Sequence, residues 1–385
     1  MMKLRYLLAY ITVLVLCFSC KNEEQYKDVI FVTGAETDVT AHMTVDGPAT
    51  FGVSATCTAK LDKDVAVNFT IDNSLVDGYN RKFNRNYKVL PKGCYALATD
   101  KSVIPAGYSV SDPIMFDLTS AEDFEEGATY VVPVSITNAE GGIDILESCK
   151  TLYIVINKTI ITKAAYLNSN YLEVPKFKEH PELKALNAFT METRIYANNF
   201  QPRDPRISSI IGIEDSETFL LRFGDASLDP GQLQLTAGDQ ITSESPCVTK
   251  KWYHVAAVFD GHSTKLYLDG VLLGSKEMSN RKTPVNLYDG GTFRMGYSYN
   301  GRYLDGYISE TRVWTRVLSA AELTNNKCYV DPASEGLLAY WRFNSSDQTE
   351  DGKTVVRDMT GHGYDAIARR AHGDNDWMEA VRCPE

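Results

Sequence analysis

The sequence predicts an all-β chain of two sandwiches, and three observations carry that expectation. Residues 252–274, WYHVAAVFDGHSTKLYLDGVLLG, read as three consecutive antiparallel strands: a β-branched and aromatic run, a break at Asp260-Gly261, a second run, and Asp269-Gly270 before Val271. Asp-Gly supplies the positive φ of a tight type I′ hairpin, so this is a meander. Along its first strand Tyr253, Val255, Ala257 and Phe259 share one face and Trp252, His254, Ala256 and Val258 the other. Neither face is strongly polar, so the strand is expected to be covered on both sides, as in a two-sheet sandwich. Second, Val65, Val67, Phe69 and Ile71 alternate with Asn68 and Thr70, which marks a strand with one wet face. Third, a chain of 385 residues exceeds one ordinary core, and its turn signals recur without a long amphipathic helical repeat.

Taken in order, the chain opens with an address. Lys3 and Arg5 precede an apolar run from Leu7 to Phe18 that is too short to span a bilayer and has the layout of a secretory signal. Residues 16–20, LCFSC, resemble a bacterial lipoprotein cleavage box with Cys20 as the acylated residue, although Cys17 and Phe18 depart from the common pattern. Lys21-Asn22-Glu23-Glu24 resembles the tag that directs lipoproteins of Bacteroides-type bacteria to the cell surface. The expectation is a signal peptide over residues 1–19 and a lipidated tether over 20–27, with outer-membrane lipid as one partner.

Residues 28–158 form the first expected domain, from Val29-Ile30-Phe31-Val32 to Leu152-Tyr153-Ile154-Val155-Ile156. Its run of strand motifs is similar to an N-terminal domain of unknown function in Bacteroides surface lipoproteins, placed there before a laminin-G-like domain. That resemblance implies an immunoglobulin-like sandwich. Residues 79–82 read as a compact turn with solvated charges, and the domain is assigned a spacer role. Residues 159–164 are the expected linker, with alternating Thr and Ile that also suit a strand.

The second domain, residues 165–385, carries four motifs in order: WYHVAAVFDG, LYLDG, then GYISETRVW from Gly306, then LSAAEL from Leu318. Together they resemble the concanavalin A-like laminin-G superfamily in its bacterial form, which implies a jelly roll used for sugar binding, adhesion or glycan cleavage. Residues 166–174 should pair with the C-terminal segment, since jelly rolls bring their ends together. Ser319, with Glu322 three residues on, reads as a helix capping box.

The chemistry narrows the function. Lys and Arg total 39 against 50 Asp and Glu, a net charge of −11 with no basic run, which argues against nucleic acid and anionic membrane surfaces and for a neutral partner. The E-x-D-x-x-E pattern of related glucanases is absent, and Asp305 and Glu310 match scaffold positions of the family. Six cysteines follow Cys20 without zinc spacing; they read as buried free thiols, with a Cys328–Cys383 bridge left open as the alternative. Laminin-G-like folds often hold calcium at the sandwich rim, and Asp225 and Asp358 are the candidate ligands, each also suited to capping a turn. For a glycan, residues 297–303 stand out: Tyr297, Tyr299 and Tyr303 offer ring faces and Asn300 an amide, with Arg203 and Trp377 as further candidates from other loops. The same tyrosines could instead pack on the sheet edge. The reading is a surface lipoprotein that binds a polysaccharide without cutting it. The alternatives are a glycoside hydrolase with an unrecognised carboxylate pair, and a protein-binding adhesin or accessory subunit of a TonB-dependent importer.

Overall fold

A computed structural model describes residues 27–204, 206–278 and 285–384, so the signal segment and Cys20 lie outside the described residues. The chain divides into two compact units between Lys158 and Thr159.

In the first unit a five-stranded sheet runs in the order Thr40–Val45, Thr151–Lys158, Thr129–Ala139, Val65–Ile71, Lys101–Ile104. Two three-stranded sheets complete the sandwich, one centred on Val29–Val32 and the other on Ile114–Leu118. The alternation seen in sequence sets the faces: Val65, Val67 and Phe69 enter the core with Ile154 and Val132, while Thr70 stays exposed. The 79–82 turn expected from sequence is instead part of a helix, Val76–Phe83. Val76, Tyr79 and Phe83 recur at helical spacing, and that periodicity outweighs Gly78. Val76 and Tyr79 are buried against Val131 and Val155, with the Tyr79 ring 4.6 Å from that of Tyr153. The Asn80 side-chain amide donates to the Tyr87 carbonyl (2.8 Å) and accepts from the Tyr87 amide (3.0 Å).

In the second unit an eight-stranded sheet runs Val271–Glu277, Ser263–Leu268, Trp252–Phe259, Phe189–Asn199, Asp305–Trp314, Ile160–Tyr166, Trp377–Cys383, with Leu337–Trp341 paired to the far half of Asp305–Trp314. A nine-stranded sheet faces it, and the core between them holds Phe189, Ile195, Phe223, Leu235, Val255 and Trp341. The meander forms as its turn chemistry dictates, with Asp269 (φ 51°) and Gly270 (φ 81°) at the corner. A Cβ on Gly270 would lie 2.1 Å from Thr324 Oγ1, so only glycine fits. Both faces of Trp252–Phe259 are covered, but by different means. Tyr253, Val255 and Phe259 meet the second sheet, whereas Ala256 and Val258 lie under Leu318, Leu323 and Val330 of the segment holding the helix Ala320–Asn325. That helix starts on the expected capping box of Ser319 and Glu322.

The linker assignment changes, and one strand departs from regular alternation. The stretch expected to link the domains is a strand, Ile160–Tyr166, lodged between Asp305–Trp314 and Trp377–Cys383. Its alternating residues therefore belong to the second sandwich, and the C-terminal pairing starts at Ile160 rather than Tyr166. Second, Ile308 and Val313 both lie in the core although they are five residues apart. In a regular strand they would face opposite sides. A bulge resolves this: the register against Phe189–Asn199 slips between Glu192 and Arg194, and Glu310 takes φ 49°. The bulge puts Glu310 and Arg312 on the face away from the core. Cys328 and Cys383 are joined, which ties the C-terminal strand to the covering segment; Cys57, Cys94 and Cys247 are buried free thiols and Cys149 a half-buried one.

Candidate functional site

Residues 297–303 connect Arg294–Met295 of the nine-stranded sheet to Asp305–Trp314 of the other, with Asn300 (φ 44°) and Gly301 (φ 78°) making the reversal. The tyrosines divide. Tyr297 and Tyr303 are half-buried with ring centroids 4.7 Å apart, and Tyr171 stacks on Tyr297 at 4.7 Å. Guanidinium groups frame this cluster. Arg369 donates to the Tyr303 hydroxyl (2.8 Å), and Arg294 bridges Glu173 (2.8 Å) and the Ser298 carbonyl (3.3 Å). Tyr299 and Asn300, by contrast, are exposed; Tyr299 is 61% exposed, and the Arg302 guanidinium lies 5.7 Å from its ring centroid. Arg302 is held by Glu214 at 2.5 Å, and Ser209 and Ser298 share a hydrogen bond of 2.6 Å beneath the loop.

The neighbouring loop is tied on by Gln201, which donates to the carbonyls of Gly301 (3.2 Å) and Tyr303 (3.3 Å). That loop carries Arg203, which is exposed. Trp377 is not part of this corner: it begins the C-terminal strand, packs partly on the sandwich core, and lies 5.3 Å from the His372 ring. Sequence reasoning missed Tyr171, Arg294 and Arg369. Only their fold neighbours reveal them, because they come from three separate strand ends.

The candidate calcium ligands do not fit a cation. One Asp225 oxygen is bonded to Arg222 and the other to the Ala226 amide (2.7 Å). Asp358 receives the amides of Tyr340, Thr360 and Tyr364 and the Thr360 hydroxyl, the pattern of a turn-capping aspartate. Among the described residues no group of three or more His, Cys, Asp or Glu gathers around either one. Nor do the best-placed carboxylates form an open pair. Asp305 accepts from Tyr166 (2.9 Å) and Asn199 (2.7 Å). Glu310 is fully buried and bonded to Arg312 (2.8 Å), Arg342 (3.2 Å) and Tyr340.

Residues 168–324 match the family model of the concanavalin A-like lectin/glucanases superfamily. The second unit has the fold of that superfamily. Ahead of this lectin-like unit, residues 22–143 match a model described as an N-terminal domain. Among solved structures, a Bacteroides ovatus protein described as a "putative carbohydrate binding protein" aligns over 91% of this chain and 98% of its own, at 24% identity and a TM-score of 0.59. It shares the fold over that span. A pentraxin of Limulus polyphemus (16% identity, 55% of this chain and 96% of that one, TM-score 0.36) and EndoBT-3987 of Bacteroides thetaiotamicron with Man5GlcNAc product (18%, 34% and 30%, 0.28) are too distant to carry an argument. No curated protein matches the chain.

Proposed function

We propose that this protein is a lipid-anchored protein of the outer membrane, displayed on the cell surface, whose lectin-like unit captures a polysaccharide without cleaving it. The observation that carries the reading is the exposed Tyr299, on a loop whose other two tyrosines are half-buried and packed against each other. A fixed, exposed ring is what the C–H face of a sugar stacks on, and a pre-set loop loses little entropy when the sugar arrives. Asn300 and Arg203 supply nearby hydrogen-bond donors. The carbohydrate-binding description of the Bacteroides ovatus protein with the same fold supports the choice of ligand, and the engagement of Glu310 and Asp305 in hydrogen bonds supports a binding rather than a cleaving role. A glycan importer of the TonB-dependent type is the natural recipient of what such a protein captures.

Glycan-array screening of the full chain, followed by product analysis on each hit, tests both parts. Tyr299→Ala is expected to weaken binding to a validated glycan about fivefold, the effect of roughly 1 kcal/mol, with an unchanged melting temperature. Equal binding by wild type and variant would place the sugar elsewhere, and released oligosaccharides would make the protein a hydrolase. For the anchor, Cys20→Ala is expected to move the protein from the membrane to the soluble fraction, since each buried acyl methylene contributes about 0.8 kcal/mol. Retention of that variant, with release on Cys17→Ala, would show that the other cysteine is modified. The Cys328–Cys383 bridge supports export to an oxidising compartment.

A further inference from the structure

The eight-stranded sheet carries four large rings side by side where a sandwich core does not need them. Strand register sets Trp252 opposite Tyr196, Tyr196 opposite Tyr307, and Tyr307 opposite Tyr166, one ring from each of four adjacent strands. Successive centroids are 5.4, 6.1 and 5.0 Å apart. Ile195 and Ala165, which precede Tyr196 and Tyr166, and Ile308 and Tyr253, which follow Tyr307 and Trp252, fill the core, so the four rings lie on the outer face. Farther along the same face Ala256, Val258, Trp314 and Tyr340 are sealed under the 318–330 segment, but the four rings are only partly buried.

We propose that this row is a second binding surface, for a neutral polysaccharide lying across the strands. The rings are tilted on one another, with Tyr196 and Tyr307 edge to face, so the row presents a run of apolar ring edges and faces, and its repeat at strand spacing suits a polymer better than a single sugar. The Tyr166 end has the polar groups that sugar hydroxyls need. The Tyr166 hydroxyl donates to Asp305 (2.9 Å) and accepts from the exposed Asn168 amide (3.0 Å), and the exposed Asn199 amide holds the other Asp305 oxygen (2.7 Å). The Arg194 guanidinium, 4.9 Å from the Trp252 ring, props the opposite end. The net charge of −11 disfavours a polyanion. The row and the tyrosine corner are linked along the chain: residues 167–170 join Tyr166 to Tyr171, and Leu304-Asp305 join Tyr303 to the strand bearing Tyr307. The row does not depend on the Tyr299 reading, and its test separates the two.

The test is native gel retardation of the full chain by xylan, arabinan, mannan and dextran, with Tyr196→Ala, Tyr307→Ala and Tyr299→Ala run in parallel. At least one polymer is expected to retard wild type, and each row variant to bind it about fivefold more weakly. Tyr307→Phe should restore binding, because it keeps the ring. Tyr307→Leu covers the case in which alanine unfolds the sheet, since it keeps apolar bulk but removes the flat face, and it should bind as weakly as Tyr307→Ala. Failure of all four polymers to retard wild type overturns the assignment. So does equal retardation of wild type and folded row variants; if Tyr299→Ala alone then loses binding, the loop is the whole site. Loss in the row variants with none in Tyr299→Ala would leave the row standing and remove the loop.

Discussion

Arg312→Met is expected to destabilise the lectin-like unit by about 3–5 kcal/mol at neutral pH, the effect of stranding a buried charge. Arg312 has no exposed side-chain surface and serves two carboxylates that are equally buried: Glu310 at 2.8 Å and Glu192 at 3.5 Å. Glu192 also accepts from His254 (2.9 Å) and the Trp314 indole (2.9 Å), and the Tyr340 ring lies 4.7 Å from the guanidinium. Methionine keeps much of the volume and removes the cation, so the loss isolates electrostatics from packing.

The pH dependence gives this prediction a sign. Burial alone would raise the Glu192 carboxyl, but Arg312, aided by the His254 hydrogen bond, more than offsets it and holds the group below its ordinary 4.5. A depressed folded pKa stabilises the protein above the unfolded value, and that contribution is lost as pH falls through the folded one. Without Arg312, less offsets the burial, so the folded pKa is expected to rise from its wild-type position. The variant's deficit should then be largest near pH 7 and shrink as acid neutralises the stranded carboxyl. Urea melts at pH 7 and pH 4.5 decide it; a gap of the same size at both would mean that Arg312 contributes by packing.

Opening the Cys328–Cys383 bridge is expected to cost about 4 kcal/mol, the chain-entropy value for a loop of this length. The two residues are 55 apart in sequence, and the bridge ties the end of the C-terminal strand Trp377–Cys383, which pairs with Ile160–Tyr166, to the covering segment. Cys328→Ser with Cys383→Ser, or wild type under reductant, should melt roughly 10 °C lower. Protease should also clip the C-terminal strand first, because it lies at the sheet edge. An unchanged melt would mean that hydrogen bonding alone fixes that edge.

Local chemistry made much of the fold legible. Asp269-Gly270 set its own hairpin, Ser319 and Glu322 capped their own helix, and the alternation from Val65 to Phe69 assigned its own faces. Each signal acts within a few residues, so it survives without knowledge of the rest of the chain. The helix Val76–Phe83 was legible in principle, but its apolar spacing was overshadowed by Gly78.

The candidate site was legible only in part. Residues 297–303 were recognisable as a loop rich in rings, yet nothing local separates the exposed Tyr299 from Tyr297 and Tyr303, because Tyr171 and Arg369 make that division from distant segments. The same holds for the bulge at Glu310, whose reversal of strand parity depends on partners in Phe189–Asn199. The sequence by itself determined two β domains, their order, the meander and the turn that closes it, since turns and periodicities are written in neighbouring residues. Only the tertiary structure decided that Ile160–Tyr166 is a strand, that Cys328 meets Cys383, and that Trp252, Tyr196, Tyr307 and Tyr166 stand in one row. Those outcomes depend on the register between strands far apart in the chain, where a shift of one residue would turn every ring to the other face.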